Sequence, residues 1–261
     1  MANYTATLGP MQKIIMLCGA PGVGKGMFSR FLAEDFGYVK VSTGDEIRKI
    51  LHGTSAKSKN TDPIIVSKQK QYVNAGKLVP DQVIMELLYQ RINEPGSQRG
   101  VILDGFPRTV NQLNLFTQVY PIHMVVNIKE SYDYIMASIL GRRTCMDCGM
   151  TYSAYSYFKD GYELNVQMPK VEGVCDECGG KVETREDDNE ETIKARLLEY
   201  EKKTQPLLER LEKDGLLISF EPKRGERDYP MLQQMIISNL GFPYYYYQQH
   251  NKDFNITTYH N

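Results

Sequence analysis

A chain of 261 residues, 41% of them hydrophobic, is long enough to bury one large α/β core with one or two small inserted units, and too short for two large independent domains. Its 31 lysines and arginines against 32 acidic residues give a formal charge of −1, which excludes the basic balance typical of a nucleic-acid-binding protein. The longest apolar runs, such as Ile14–Cys18, fall far short of the ~20 residues that span a bilayer.

The first residues carry no targeting signal that we can identify. They lack an apolar h-region and an Arg-rich amphipathic stretch, and Ala2 stands where myristoylation requires glycine. We therefore predict a cytoplasmic protein with no membrane partner, and a mitochondrial location stays open.

Strands alternate with helices along most of the chain. Residues 13–18 are predicted to form a buried strand that leads through a glycine loop into a periodic segment typical of a helix. Further strands are predicted at 39–42, 100–104 and 124–128, and helices are predicted to open at Thr43, to run over 64–75 and to open at Asp81. This alternation predicts an α/β fold with a doubly wound parallel sheet, which binds ligands at the carboxyl ends of its strands.

The periodicity fails between Gly141 and Asp188, where Gly, Tyr and Cys are frequent, and we interpret this segment as an inserted unit. Asp188-x-x-Glu191 has the pattern of a capping box for the next helix, which Pro206 is expected to kink. A strand at 216–220 and a helix ending near Leu240 follow. The biased, aperiodic residues 242–261 are predicted to form a disordered tail.

The loop after the first strand has the pattern Gly19-x-x-x-x-Gly24-Lys25. Its glycines let several N–H groups point at one anion, the following helix adds its positive end, and the lysine neutralises phosphate charge. The pattern is normally completed by Ser or Thr, whereas here Gly26 and then Met27 follow, so a glycine turn with degraded binding is the alternative. Asp104 ends an apolar strand and is a candidate Mg²⁺ carboxylate, or otherwise a turn residue.

The cysteines form two Cys-x-x-Cys pairs and a lone Cys18 in an apolar strand. Cys145, Cys148, Cys175 and Cys178 have the spacing of a tetrahedral Cys₄ zinc site, which is structural because no coordination position stays open. Two disulfides, unmetallated thiols and a zinc ribbon that serves interactions are the alternatives. The aromatic residues between the pairs are predicted to form a small hairpin core; they are Tyr152, Tyr155, Tyr157, Phe158 and Tyr162.

Several motifs occur in the order seen in the adenylate kinase family. They are the loop Gly19-x-Pro-Gly-x-Gly-Lys-Gly26, Ser42-Thr-Gly-Asp45 with Arg48, Gly76-Lys-Leu-Val-Pro-Asp81, Leu103-Asp-Gly-Phe-Pro-Arg-Thr109 with Gln112, Gly141-Arg-Arg143, Pro169-Lys-Val-Glu-Gly173, and Arg185-x-Asp-Asp188 with Arg196. From about residue 13 to residue 240 the chain resembles the long-lid, zinc-binding type of nucleoside monophosphate kinase.

The resemblance implies a P-loop NTPase-like core with two insertions. The core would comprise residues 1–41, 77–140 and 189–241, with a helical unit that binds the nucleoside monophosphate at 42–76 and a zinc-binding lid at 141–188. The lid segment is longer than the family pattern leads us to expect.

The resemblance also implies residue roles. Phosphoryl transfer would involve Lys25, Arg108, Arg142, Arg185, Arg196 and Asp187, with Asp188 as a further lid or hinge partner. Binding of the donor with its Mg²⁺ would involve Gly22, Val23, Gly24, Lys25, Gly26, Asp104 and Arg142. AMP would be bound by Thr43, Arg48, Lys77, Val79, Gly105, Arg108, Gln112, Arg185 and Arg196. Arginine suits these positions because its planar fork pairs with phosphate oxygens and stays charged.

The implied activity is reversible conversion of Mg·ATP and AMP into two ADP by a monomer that carries structural Zn²⁺. Met27 and Ser138 depart from the family, where a threonine and an arginine contact the donor. Two alternatives therefore stay open: a GTP:AMP phosphotransferase, and a nucleotide-sensing protein with a degraded donor site.

Overall fold

The computed structural model describes residues 12–51 and 70–240 of this chain. Its centre is a five-stranded sheet in the order β2-β3-β1-β4-β8, and all of its strand pairs are parallel. The strands are β1 (Lys13–Cys18), β2 (Val39–Ser42), β3 (Gly100–Asp104), β4 (Met124–Ile128) and β8 (Leu217–Phe220). The predicted doubly wound α/β fold is confirmed, and the last strand begins one residue later than predicted.

Both faces of this sheet are buried. Successive side chains of a strand point to opposite faces, so a strand in such a sheet is apolar at nearly every position. Ile14 and Met16 of β1 belong to one apolar cluster, and Ile15 and Leu17 belong to a second cluster on the other face. All four side chains are fully buried. The apolar runs of the sequence are therefore those of a sheet covered by helices on both sides.

Helices connect the strands. They are α1 (Lys25–Phe36), α2 (Thr43–Leu51), α3 (Asp81–Ile92), α4 (Val110–Thr117), α5 (Tyr132–Leu140), α6 (Glu190–Lys203), α7 (Gln205–Lys213) and α8 (Tyr229–Asn239). Residues 70–74 are helical too, and residue 75 lies in a turn. Residues 64–69 of the predicted helix and the tail predicted at 242–261 lie outside the described residues.

The capping box predicted from Asp188 and Glu191 is wrong. Asn189 is the N-cap of α6, and its side chain accepts a hydrogen bond from the N–H of Thr192. Asp188 is instead an ion-pair partner of Arg142, so its carboxylate is not available to the helix. The break expected near Pro206 occurs at Thr204, where α6 ends and α7 begins.

A second, three-stranded antiparallel sheet lies between α5 and α6. It has the order β6-β5-β7 and consists of β5 (Arg142–Cys145), β6 (Thr151–Ser153) and β7 (Val182–Glu183). Residues 154–167 extend from it, with a short antiparallel bridge between Tyr157 and Leu164. We call residues 154–167 the lid hairpin.

The aromatic residues of this region do not form one small hairpin core as predicted. Tyr155, Tyr157 and Tyr162 pack instead against Tyr134 of α5, with ring centroids 5.3–6.4 Å from it. Phe158 is 62% exposed. Because Tyr134 is itself buried in the main core, the aromatic side chains fasten the lid hairpin to that core.

Among the described residues, no helix has the length and apolar character that a membrane span requires.

Candidate active site

The loop between β1 and α1 curls around the amino end of α1. Gly22 and Gly24 have φ angles of 83° and 82°, in the left-handed region that favours glycine. A Cβ atom on Gly22 would lie 2.6 Å from Ile139 Cγ1, so this position also has no room for a side chain. The Val23 side chain is buried in the core, which leaves its backbone N–H as the group it can present to an anion.

Lys25 bridges the backbone of this loop. Its Nζ donates hydrogen bonds to the carbonyl oxygens of Gly19 and Ala20 at 3.0 and 2.7 Å. Burial lowers the pKa of Lys25 to about 8, although the carboxylate of Asp104 opposes the shift. A partly buried ammonium whose partners are carbonyls is electrostatically suited to an incoming anion.

Asp104 lies at the carboxyl end of β3, beside this loop. It pairs with Leu17 of β1 and with Ser42 of β2, and only 7% of the residue is exposed. Its Oδ2 lies 3.4 Å from the Oγ of Ser29 in α1. The structure therefore places a buried carboxylate next to the first turn of α1.

A cavity of about 560 Å³ extends from this loop to α2 and to the second sheet, a volume within the usual range for small-molecule sites. Nearly all residues predicted to bind nucleotide line it: Gly22, Gly24, Lys25, Gly26, Thr43, Arg48, Lys77, Val79, Asp104, Gly105, Arg108, Gln112, Arg142, Arg185, Asp187 and Arg196. Val23 is not among the lining residues.

Arginines converge on this cavity, and most of them are paired with carboxylates. Arg142 donates two hydrogen bonds to Asp188, one of them at 2.8 Å, and Arg196 donates to Asp187 at 2.9 Å. Both aspartates are buried, with 7% or less of each residue exposed. Arg108 lacks such a partner among the described residues and donates to the carbonyl of Gly105 at 2.8 Å.

A third carboxylate, Asp45 of α2, joins two arginines from different parts of the chain. Arg48 donates to its Oδ1 at 2.6 Å, and Arg185 Nη2 lies 3.8 Å from the same oxygen. Burial would raise the pKa of Asp45, but the two arginines hold it below its ordinary value. Asp45 belongs to the motif Ser42-Thr-Gly-Asp45, but the sequence predicted a role only for Arg48 and Arg185 and not for this aspartate.

Burial also lowers the pKa of Arg185 to about 9 and that of Arg196 to about 10, and neighbouring arginines add to both shifts. Positive charge is therefore concentrated here at a cost in free energy, which an anionic ligand would relieve.

On the α3 side of the cavity, Gln112 is 2% exposed and its amide is engaged. Its Oε1 accepts from the Arg108 N–H at 2.8 Å, and its Nε2 donates to Asp81 Oδ1 at 2.9 Å. Thr43 Oγ1 lies 3.3 Å from the carbonyl of Gly105. The amide of Gln112, which the family resemblance assigns to AMP, thus orders the backbone of Arg108.

The four cysteines of the second sheet lie together. Their Sγ atoms are all within 4.8 Å of one another; Cys145 and Cys178 are 3.5 Å apart, and Cys148 and Cys175 are 3.6 Å apart. All five cysteines of the chain are described, and none forms a disulfide. Four thiolates around Zn²⁺, with Zn–S bonds of about 2.3 Å, would be about 3.8 Å apart, so the cluster fits this metal.

A phosphate loop, a strand-end carboxylate and converging arginines on one parallel sheet define the chain as a nucleoside monophosphate kinase. The family model for adenylate kinase matches residues 17–216. The adenylate kinase of Bacillus velezensis is 37% identical over 219 residues, which cover 82% of this chain and 93% of that protein. The enzyme of Caldicellulosiruptor saccharolyticus is 36% identical over 210 residues, 78% of this chain and 89% of that protein. This chain belongs to the adenylate kinase family.

Proposed function

We propose that this enzyme transfers a phosphoryl group reversibly from Mg·ATP to AMP and so produces two ADP. The observation that carries the proposal is the convergence of Lys25 and the arginines on one cavity beside Asp104. Phosphoryl transfer depends on positive charge and alignment, and both are provided by side chains that line the same space.

In the forward reaction, a phosphate oxygen of AMP forms a bond to the γ-phosphorus of ATP. The bond from that phosphorus to the β,γ-bridging oxygen breaks, and its electron pair stays on the ADP that leaves. The attacking group is already an anion, so no protein base is required. We assign charge stabilisation of the transferring group to Lys25, Arg108, Arg142, Arg185 and Arg196, with Asp187 as the carboxylate that orients Arg196.

We assign the donor phosphates to Gly22, Val23, Gly24, Lys25, Gly26 and Arg142, and AMP to Thr43, Arg48, Lys77, Val79, Gly105, Arg108, Gln112, Arg185 and Arg196. All of these residues except Val23 line the one cavity, which supports the assignments. The arginine–aspartate pairs would exchange their carboxylates for phosphate oxygens when the nucleotides bind.

We assign Mg²⁺ to Asp104 and Zn²⁺ to the four cysteines. Asp104 fits because its buried carboxylate has a single long hydrogen bond, at 3.4 Å, from a side chain of the described residues, which leaves oxygen lone pairs for a hydrated metal. When bound, Mg²⁺ would neutralise charge on the triphosphate, and Zn²⁺ would hold together the loops of the second sheet that carry the four cysteines. We propose that this unit closes over the donor as a lid and excludes water.

Met27 and Ser138 affect the part of the proposal that concerns donor binding. Ser138 Oγ donates to the carbonyl of Gly22 at 2.9 Å, so it supports the loop without presenting a flat cation for base stacking. Losing such a stack costs about 0.5–2 kcal/mol. We expect weak ATP affinity, not loss of activity.

The test compares ATP and GTP as donors at fixed AMP and Mg²⁺, with diphosphates separated and quantified. Higher turnover with ATP supports the proposal. Turnover with GTP alone would reassign the donor, and AMP binding without turnover would make the protein a nucleotide sensor. A Met27→Thr variant that binds ATP no more tightly than the parent would refute the role of Met27 in weak affinity.

A further inference from the structure

Lys40 is a second lysine at the phosphate loop, and the sequence motifs did not identify it. It lies on β2, where it pairs with Ile102 of β3, two positions before Ser42 pairs with Asp104. Because alternate residues of a strand share a face, Lys40 and Asp104 lie on the same face of neighbouring strands. That face carries Ile102, which packs in the cluster that includes α1.

The Lys40 side chain reaches the first turn of α1. Its Nζ donates to the carbonyl of Gly26 at 2.9 Å, and the same carbonyl accepts from Ser29 Oγ at 3.1 Å. A Cβ atom on Gly26 would lie 3.9 Å from Lys40 Nζ and 3.7 Å from Asp104 Oδ2. The Lys40 ammonium and the buried Asp104 carboxylate thus both lie close to Gly26.

The Lys40 ammonium has spare donors. Within the described part of the chain it forms one hydrogen bond, to a neutral carbonyl, and no ion pair. An ammonium carries three N–H groups. Lys40 also lines the same cavity as Lys25 and Asp104, so its remaining N–H groups are available to a ligand there.

We propose that Lys40 is a donor-phosphate ligand, one whose contribution is largest when the triphosphate carries no Mg²⁺. This inference rests on the proposed function, because it takes a nucleoside triphosphate as the donor. The ammonium approaches the phosphates from the side where Asp104 would hold the metal. The two cations therefore act on the same oxygens, and each reduces the attraction that the other gains.

Isothermal titration of the parent and of Lys40→Met with ATP, once in EDTA and once in excess Mg²⁺, tests the proposal. We expect Kd for ATP in EDTA to rise about tenfold, as expected for a lost charge-assisted contact, and Kd for Mg·ATP to rise about threefold or less. Lys40→Arg keeps the charge and should restore most of the affinity in EDTA. Lys202→Met, which removes an exposed lysine of α6 outside the cavity, should bind like the parent in both conditions.

A lysine that only supports the loop would weaken both titrations equally, and that result, or unchanged affinity in EDTA, overturns the inference. If Lys40→Met does not fold, loss of tight binding in EDTA by a folded Lys40→Gln variant supports the inference, and its retention overturns it. The readout is binding, so it is independent of turnover. A protein that binds ATP through Lys40 but transfers no phosphoryl group would refute the proposed function and leave this inference standing.

Discussion

The ring of Tyr162 in the lid hairpin stacks on the ring of Tyr134 in α5, with centroids 5.3 Å apart and an interplanar angle of 16°. Polar contacts reinforce this stack. The Glu163 N–H donates to the carbonyl of Lys223 at 2.9 Å, and Arg227 donates to the Glu163 carbonyl at 2.6 Å. The lid hairpin is thus held to the core by contacts with α5 and with Lys223 and Arg227.

Replacing Tyr162 by alanine should therefore destabilise the protein. Tyr162 is 3% exposed, and truncation of a buried aromatic side chain costs about 3 kcal/mol. The free energy of unfolding in urea measures the loss. Phe158→Ala is the matched control, because Phe158 is 62% exposed and should change stability little; equal effects at the two positions would contradict the packing described.

Loss of Arg196 should reduce turnover. Arg196 lines the cavity and donates to buried Asp187, so Arg196→Met removes a fixed positive charge from the transfer region and should lower kcat about a hundredfold or more. Steady-state rates with saturating nucleotides measure the effect. Arg210→Met removes an arginine that pairs with Asp214 at 3.7 Å outside the cavity and should retain parental kcat. A comparable loss in both variants would refute a specific role for Arg196.

The rate constant kcat/KM for ATP should fall as pH rises above about 8. Burial lowers the pKa of Lys25 from 10.5 to about 8, so the free enzyme loses this positive charge in that range, and kcat/KM reports groups of the free enzyme. The same shift affects the free energy of unfolding. Burial of the charged ammonium lowers it below pH 8, and it should rise again between pH 8 and 10.5, where the unfolded chain binds more protons than the folded one.

A Lys25→Arg variant separates this titration from others, because arginine has a higher ordinary pKa than lysine and stays protonated across pH 8. Its kcat/KM is expected to be lower than that of the parent but flat across pH 8. The same fall in the variant would assign the pH dependence to another group.

Metal analysis of the purified protein should find one Zn²⁺ per chain. Cys175→Ser removes one of the four clustered thiolates and should reduce both the zinc content and the melting temperature, since a structural site contributes directly to folding. Cys18→Ala is the control, because Cys18 lies in β1 away from the cluster and should leave the zinc content unchanged. If the parental protein contained no zinc and its melting temperature were the same as that of zinc-loaded protein, the assignment would be contradicted.

Much of this fold could be predicted because its signals are local. The apolar run at 14–18 followed by a glycine loop predicted β1 and the start of α1, and both were confirmed. The motifs also predicted which arginines approach one cavity. Each motif is a short stretch of sequence, and the parallel sheet brings the separate motifs together.

The remaining features depend on contacts between distant residues. Asp188 has the local pattern of a helix cap, but Arg142, 46 residues away, takes its carboxylate. Tyr155 and Tyr157 resemble a hairpin core in sequence, and only the position of Tyr134 shows why they pack elsewhere. Lys40 is on an ordinary strand in sequence, and its role emerges only from the register that places it beside Asp104.

Phosphorus-31 NMR of the purified protein with Mg·ATP and AMP tests the central claim most directly. We predict that ATP and AMP disappear in equal amounts and that two ADP appear for each ATP consumed, without free phosphate, and that Lys25→Met largely abolishes the reaction. Release of inorganic phosphate with AMP unchanged, or no reaction while AMP still binds, would contradict it.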